Sequence, residues 1–251
     1  PPVPTQVQLE WSQMEIGVMT SWDLVSVINN PNPQHFCLGA GGDHGFAVPP
    51  ASAFNPTNVS TDQWVAAAKA AGAEYIVHVA SHCSGFLQWR TNTSYSYGVR
   101  ESPYTGDVLD DFMASCKKYD VKPSLYLTVN YNYLYNVGAG RVYPPPLAPG
   151  QRNITWDVYL NEIVVPLLEE AWGRFPGALV EAWFDGGEDY WPITEAALHL
   201  QPNAVFMAGH TPVNQARLSG HESGFLPYPV WSNNENGTYG PGSPTGPIFA
   251  P

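Results

Sequence analysis

Short apolar runs alternate with amphipathic stretches along most of this chain. Glu15 to Trp22, Glu74 to Ala80, Pro123 to Val129, Ala178 to Phe184 and Ala204 to Ala208 are rich in apolar or β-branched residues. That is the mark of strands buried on both faces. Between them the period changes to that of a helix. Asp62 to Ala71 puts Trp64, Val65 and Ala68 on one side, with Ser60 or Thr61 as N-cap and Gly72 as stop. Asp107 to Tyr119 carries Val108, Leu109, Phe112, Met113 and Cys116 at helical spacing, and Trp156 to Trp172 does the same with a kink expected at Pro166. Tyr190 to Leu200 is a further helix, with Pro192 tolerated near its start. Strand followed by helix, repeated, implies parallel strands joined by crossover helices.

Two architectures satisfy that alternation: an open doubly wound sheet and a (β/α)8 barrel. No glycine-rich phosphate loop follows the first strand, which favours the barrel. The expectation is a single α/β domain over residues 1–251 with a (β/α)8-like, TIM-type barrel. After Trp231 the sequence becomes Asn233-Asn234-Glu235-Asn236-Gly237 and a Gly/Pro tail, so only five or six strands can be counted. The barrel is therefore expected to lack its last strands in this chain, or to be completed by a C-terminal fragment. The start at Pro1-Pro2, without Met, reads as a processed or trimmed product.

Composition narrows the partners. Charged residues are 13% and hydrophobic residues 44%, which excludes global disorder. The formal charge of -12 leaves no basic stripe for a phosphate backbone, so nucleic acid is not expected. No apolar run approaches the roughly 20 residues that span a bilayer. Abundant aromatics among Gly- and Pro-rich loops suit a neutral polyhydroxylated ligand such as a sugar. Asn58-Val59-Ser60, Asn92-Thr93-Ser94, Asn153-Ile154-Thr155 and Asn236-Gly237-Thr238 are N-glycosylation acceptor triplets, where chance supplies about two, and this excess favours secretion. Cys37, Cys83 and Cys116 allow at most one internal disulfide, and their spacing does not resemble a zinc site.

The strand ends carry the candidate chemistry. Asp185 closes the run Val180 to Phe184 and is followed by Gly186 and Gly187. A carboxylate there is placed as a nucleophile or base, although a helix cap or an Asp-Gly turn would leave the same pattern. The other strand ends read Ser21-Trp22-Asp23, Ser81-His82-Cys83-Ser84, Asn130-Tyr131-Asn132-Tyr133 and His210. His78 and His82 form only a weak i, i+4 pair, so no metal or other cofactor is expected. A Gly-x-Ser-x-Gly elbow is missing. Two carboxylates in an aromatic-lined pocket are the arrangement that glycoside hydrolysis requires. Glu222, in the Gly-flanked loop Arg217 to Gly224, is the leading second acid, with Glu188, Asp189 and Glu235 in reserve; a solvated loop acid paired to Arg217 or His221 is the alternative.

With these residues assembled, the chain resembles the α-L-fucosidases of glycoside hydrolase family 29, most closely the plant-like branch. Phe54-Asn55-Pro56-Thr57 with Asp62-Gln63-Trp64-Val65, Ser81 to Trp89, Gly106-Asp107-Val108, Leu125-Tyr126-Leu127, Trp183-Phe184-Asp185-Gly186, and Arg217 with Gly220 to Gly224 are similar to the family's blocks in order and spacing. The resemblance implies a retaining mechanism with Asp185 as nucleophile and Glu222 as acid/base. It implies His82, Trp22, Arg217, Trp89 and Asn130 as substrate-binding candidates, and terminal α-L-fucose on glycans as substrate. The chain departs from the pattern where the family's histidines fall on Ser21 and Cys83, its Lys on Ser81 and its Asp on Ser84; the family's Glu-Trp pair falls near Asp43-His44. A degenerate fucosidase-like module that binds glycans or another extracellular protein is the alternative. Secretion, or a lysosome- or vacuole-like compartment, is the expected location.

Overall fold

The computed structural model describes residues 3–28, 36–37, 45–187, 190–207, 211 and 213–216. In chain order the elements are α1 (Gln6–Gln13), β1 (Gly17–Ser21), α2 (Leu24–Val27), α3 (Thr61–Ala70), β2 (Tyr75–Ser81), α4 (Val108–Tyr119), β3 (Lys122–Thr128), the two-stranded β4 (Val137–Gly138) and β5 (Arg141–Val142), α5 (Trp156–Val158), α6 (Val165–Gly173), β6 (Glu181–Asp185), α7 (Trp191–Leu200), β7 (Val205–Met207) and β8 (Gln215–Ala216). The main sheet has six strands in the order β1-β2-β3-β6-β7-β8, every neighbouring pair parallel. Spatial order thus follows chain order without a reversal. A doubly wound sheet needs a switch point where the order turns back, whereas a singly wound barrel does not. The fold is α/β of the barrel type.

Helices form where capping and periodicity coincide. Ser60 Oγ accepts from the Gln63 N–H to cap α3, Asp107 accepts from Asp110 N–H to cap α4, and Thr155 accepts from Val158 N–H to cap α5. The kink expected at Pro166 takes another form: a π-helical stretch, Tyr159–Val164, joins α5 to α6 ahead of the proline. Widening the turn absorbs the hydrogen bond that Pro166 cannot donate. Helix α1 has no counterpart in the hydrophobic periodicity. Its signal is the capping box Thr5-x-x-Gln8, in which each side chain bonds the other's backbone N–H.

Strand residues alternate between two environments. Ile76, Ala80, Leu125, Leu127, Ala182, Phe184 and Phe206 pack into the core under the helices, while Val77, Val79, Tyr126, Trp183, Val205 and Met207 pack on the inner face. His78 is on the helix side, fully buried and lying against Trp64 and Phe112. The Gln88 amide donates to Val79 O, so its Oε1 accepts from His78 Nε2–H and the imidazole is neutral. Burial lowers the His78 pKa to about 4. It therefore does not converge with His82, and the i, i+4 pair in the sequence is no ligand pair.

Helix α1 covers the N-terminal end of the strands. Trp11 donates its indole N–H to Glu181 Oε2 at 3.0 Å, Gln8 donates to Gln215 O at 2.7 Å, and Thr5 Oγ1 bonds Asn214 Oδ1 at 2.7 Å. Glu181, at the start of β6, is buried, and that burial raises its carboxyl to about 7. At the other end, β6 stops because Gly186 adopts φ +99 and its Cα lies against the Asn130 side chain, so that a Cβ would sit 2.0 Å from Asn130.

Two predictions follow from these placements. Glu181 holds its proton more tightly folded than unfolded, so stability falls as pH rises from 4.5 through about 7; His78 holds its proton less tightly folded, so stability falls as pH drops from 6.5 towards about 4. Each is worth at most about 3 kcal/mol. In melting curves against pH, Glu181→Gln flattens the neutral limb and His78→Gln flattens the acid limb; an unchanged limb would disprove the assignment. Gly72 (φ +89) has open space around it, whereas Gly186 does not. Gly72→Ala is expected to lose about 1 kcal/mol from the left-handed backbone alone. Gly186→Ala should lose clearly more, and equal losses in denaturant titrations would refute the close approach.

Candidate active site

The inner face of the strands ends in a small set of polar groups. Asp185 is the last residue of β6 and, by the alternation that puts Trp183 inside, also faces inward. Parallel register sets Thr128 opposite Asp185 and Tyr126 opposite Trp183. Tyr126 reaches up one pleat and donates its hydroxyl to Asp185 Oδ2 at 2.5 Å. Burial and the adjacent Asp185 carboxylate push the Tyr126 pKa well up, so the phenol stays a donor. The Asp185 carbonyl accepts N–H bonds from Val129 and Asn130, which fixes the strand end. Glu181 lies on the same strand face about 13 Å away at the opposite end, too far to partner Asp185.

His82 follows β2, half-buried, with its ring centroid 5.8 Å from Tyr126. Its turn is tied on several sides. Ser84 Oγ donates to Asp23 Oδ2 at 3.0 Å, and Asp23 Oδ1 accepts from the Val25 N–H as the cap of α2. Burial raises the Asp23 carboxyl, an effect opposed by these hydrogen bonds and by nearby His82. Cys83 is disulfide-bonded to Cys37, and its carbonyl accepts from Tyr133 N–H at 2.8 Å. Phe36 in turn meets Tyr133 edge to face, with centroids 4.9 Å apart. Cys116 is the free, buried thiol. Among the described residues, the one cluster of potential metal ligands is Cys37, His82 and Cys83, whose sulfurs are already bonded to each other.

The structure therefore brings Asp185, His82 and Asn130 together at the strand ends. Asn130 packs on Gly186, and its carbonyl accepts from the Gly140 N–H. Two sequence candidates lie elsewhere. Trp22 is on the helix side of β1, against Phe54 and Trp64 with centroids 5.3 Å from each, because Ser21 takes the inward position. Trp89 is fully buried, and its indole donates to Glu170 Oε2 at 2.8 Å. Trp89 is thus a core residue and Trp22 a half-buried one packed against the core, a correction that burial imposes on the first and strand parity on the second. Glu222, Arg217, Glu188, Asp189, Glu235, His210 and the Asp43-His44 segment lie outside the described residues.

Two groups at the site were not singled out as candidates from the sequence, Tyr126 and Trp183, and that the strand-end residues Asp23 and Ser84 bond each other was not legible there. Trp183 meets Tyr126 edge to face at 5.2 Å, and its buried indole N–H has no partner among the described residues. The legible signal for Tyr126 was the alternation of Ser124, Tyr126 and Thr128 with Leu125 and Leu127, which marks a strand with one polar inner face.

Comparison with known proteins agrees with this architecture. Alpha-L-fucosidase 1 of Arabidopsis thaliana is 26% identical over 258 residues, covering 97% of this chain and 44% of that protein. A putative alpha-L-fucosidase from Bacteroides thetaiotaomicron superposes with a TM-score of 0.74 at 28% identity, covering 92% of this chain and 52% of that one. An alpha-L-fucosidase of Lactobacillus casei, in complex with its alpha-L-fucose product, superposes with a TM-score of 0.64 at 20% identity, covering 89% and 77%, and shares the fold. The chain spans about half the length of the first two. The sequence profile of the Alpha-L-fucosidase family matches residues 34–216, most of the chain, and with the strand-end geometry it establishes that this chain belongs to the alpha-L-fucosidase family.

Proposed function

We propose that this chain carries the nucleophile half of a retaining α-L-fucosidase that removes terminal fucose from glycans. The observation that carries the reading is the inward-facing Asp185 at a strand end, with Oδ2 held by Tyr126 and the chain turning away at Gly186 immediately after it. Tyr126 occupies one carboxylate oxygen and so directs the other at the sugar. Asp185 Oδ1 attacks the anomeric carbon as the glycosidic C–O bond breaks, and Glu222 donates its proton to the leaving oxygen. Water then attacks the fucosyl-enzyme, giving a proton to Glu222 and releasing Asp185. Arg217 and His82 hold ring hydroxyls, and the Trp183 N–H, unpartnered among the described residues, is a spare donor on the same strand face as Asp185. The four acceptor triplets and the Cys37–Cys83 disulfide support action in a secreted or lysosome- or vacuole-like setting.

A glycan-binding module without turnover is the second reading. What favours it is that two positions which the family pattern gives to pocket side chains do structural work here, Cys83 in the disulfide and Ser84 on Asp23. The measurement that separates the two is hydrolysis of an aryl α-L-fucoside by the full-length protein. Asp185→Ala is expected to lower kcat more than about 10³-fold while leaving fucose affinity within a few-fold. In methanol, the first-formed methyl fucoside is expected to be the α-anomer. Absence of turnover by the folded full-length protein, with fucose binding retained, would replace the hydrolase by the module.

A further inference from the structure

Three Asn-x-Ser/Thr triplets fall among the described residues. Asn58, Asn92 and Asn153 are exposed, and their side chains make no hydrogen bond among the described residues. By contrast, Asn132, Asn136 and Asn214 are buried, and Asn161 is bonded to Tyr190 and to Asp157 O. The three stand in successive connections, Asn58 between β1 and α3, Asn92 between β2 and α4, and Asn153 between β3 and α5. None is in a helix or strand. Independently, the Cys37–Cys83 disulfide belongs to an oxidising compartment, the setting in which asparagine-linked sugars are attached.

We propose that Asn58, Asn92 and Asn153 carry N-linked glycans. In the modification the Asn Nδ2 forms a bond to C1 of an oligosaccharide borne on a lipid diphosphate. The C1–O bond breaks, the lipid diphosphate leaves with the electron pair, and the amide gives up one proton. The hydroxyl two residues on must be free to engage the transferase, and here the sites divide. Ser94, after Asn92, is exposed and its side chain makes no hydrogen bond among the described residues. Ser60 and Thr155, after Asn58 and Asn153, hold the first turns of α3 and α5 through Gln63 N and Val158 N. Asn58 and Asn153 are thus glycosylated before those helices close, while Asn92 remains an acceptor in the folded protein. This assignment does not depend on the hydrolase reading.

The test is peptide mapping of the protein purified from its own source, with N-glycans released by a glycosidase in ¹⁸O-water. Asn58, Asn92 and Asn153 are each expected to appear as ¹⁸O-labelled Asp. Recovery of the three peptides with unmodified Asn before glycosidase treatment would overturn the proposal. For the timing, the folded, unglycosylated chain is offered to transferase-bearing membranes charged with donor. It should gain sugar at Asn92 alone, and after denaturation at all three; equal labelling of the three sites in the folded chain would overturn the division. Asn58→Gln, Asn92→Gln and Asn153→Gln, which remove no contact, confirm the site of each sugar by loss of its mass.

Discussion

The parallel register of β3 against β6 is the constraint on which the rest of the site depends. Tyr126 can reach Asp185 only because Thr128 lies opposite Asp185 and Tyr126 opposite Trp183, all on the inner face. A slip of one residue would send Tyr126 into the helix layer and bring Leu127 to the carboxylate. That register is held from outside by apolar contacts, since Leu125, Leu127, Ala182 and Phe184 belong to one core with the helices that follow each strand. The hydrophobic packing of the outer layer thus sets a polar contact on the inner one.

Two carboxylates on one strand face show how position decides chemistry. Glu181 starts β6 beneath the α1 helix, in a dry environment with a single indole donor, and burial raises its pKa. Asp185 ends the same strand at a less covered edge and meets a phenol whose proton is firmly held. The first is suited to closing the N-terminal end of the strands, the second to meeting a ligand.

Much of this was legible in the sequence. The five apolar runs each became a strand, and Ser60, Asp107 and Gly72 bound their helices as their chemistry dictates. What was not legible had physical causes. Strand β8 is two residues long, too short to leave a period, and α1 announces itself through a capping box and not through apolar spacing. Trp22 and Trp89 were substrate-binding candidates through the family resemblance, yet which face a side chain takes depends on parity and on how the chain turns afterwards. After β2 the chain doubles back, so that Gln88 bonds Val79 O and carries Trp89 under α6. Cysteine pairing likewise depended on three-dimensional approach, which put Cys37 beside Cys83 and left Cys116 in the α4 core.

The turn that carries His82 gathers the departures from the family pattern into one physical device. Cys83 is anchored through sulfur to Cys37 and through its carbonyl to Tyr133, and Ser84 is anchored to Asp23. These tethers come from the segment after α2, from the connection after β3 and from the end of β1, so the turn is restrained from different directions. A long polar side chain at position 83 or 84 would have been free to contact a ligand but would have left the turn less constrained. Here potential ligand contacts are exchanged for fixity of a single imidazole opposite Tyr126. Because a site must hold its groups to within about 0.5 Å to act on a bound sugar, that exchange favours precise placement of the few groups that remain.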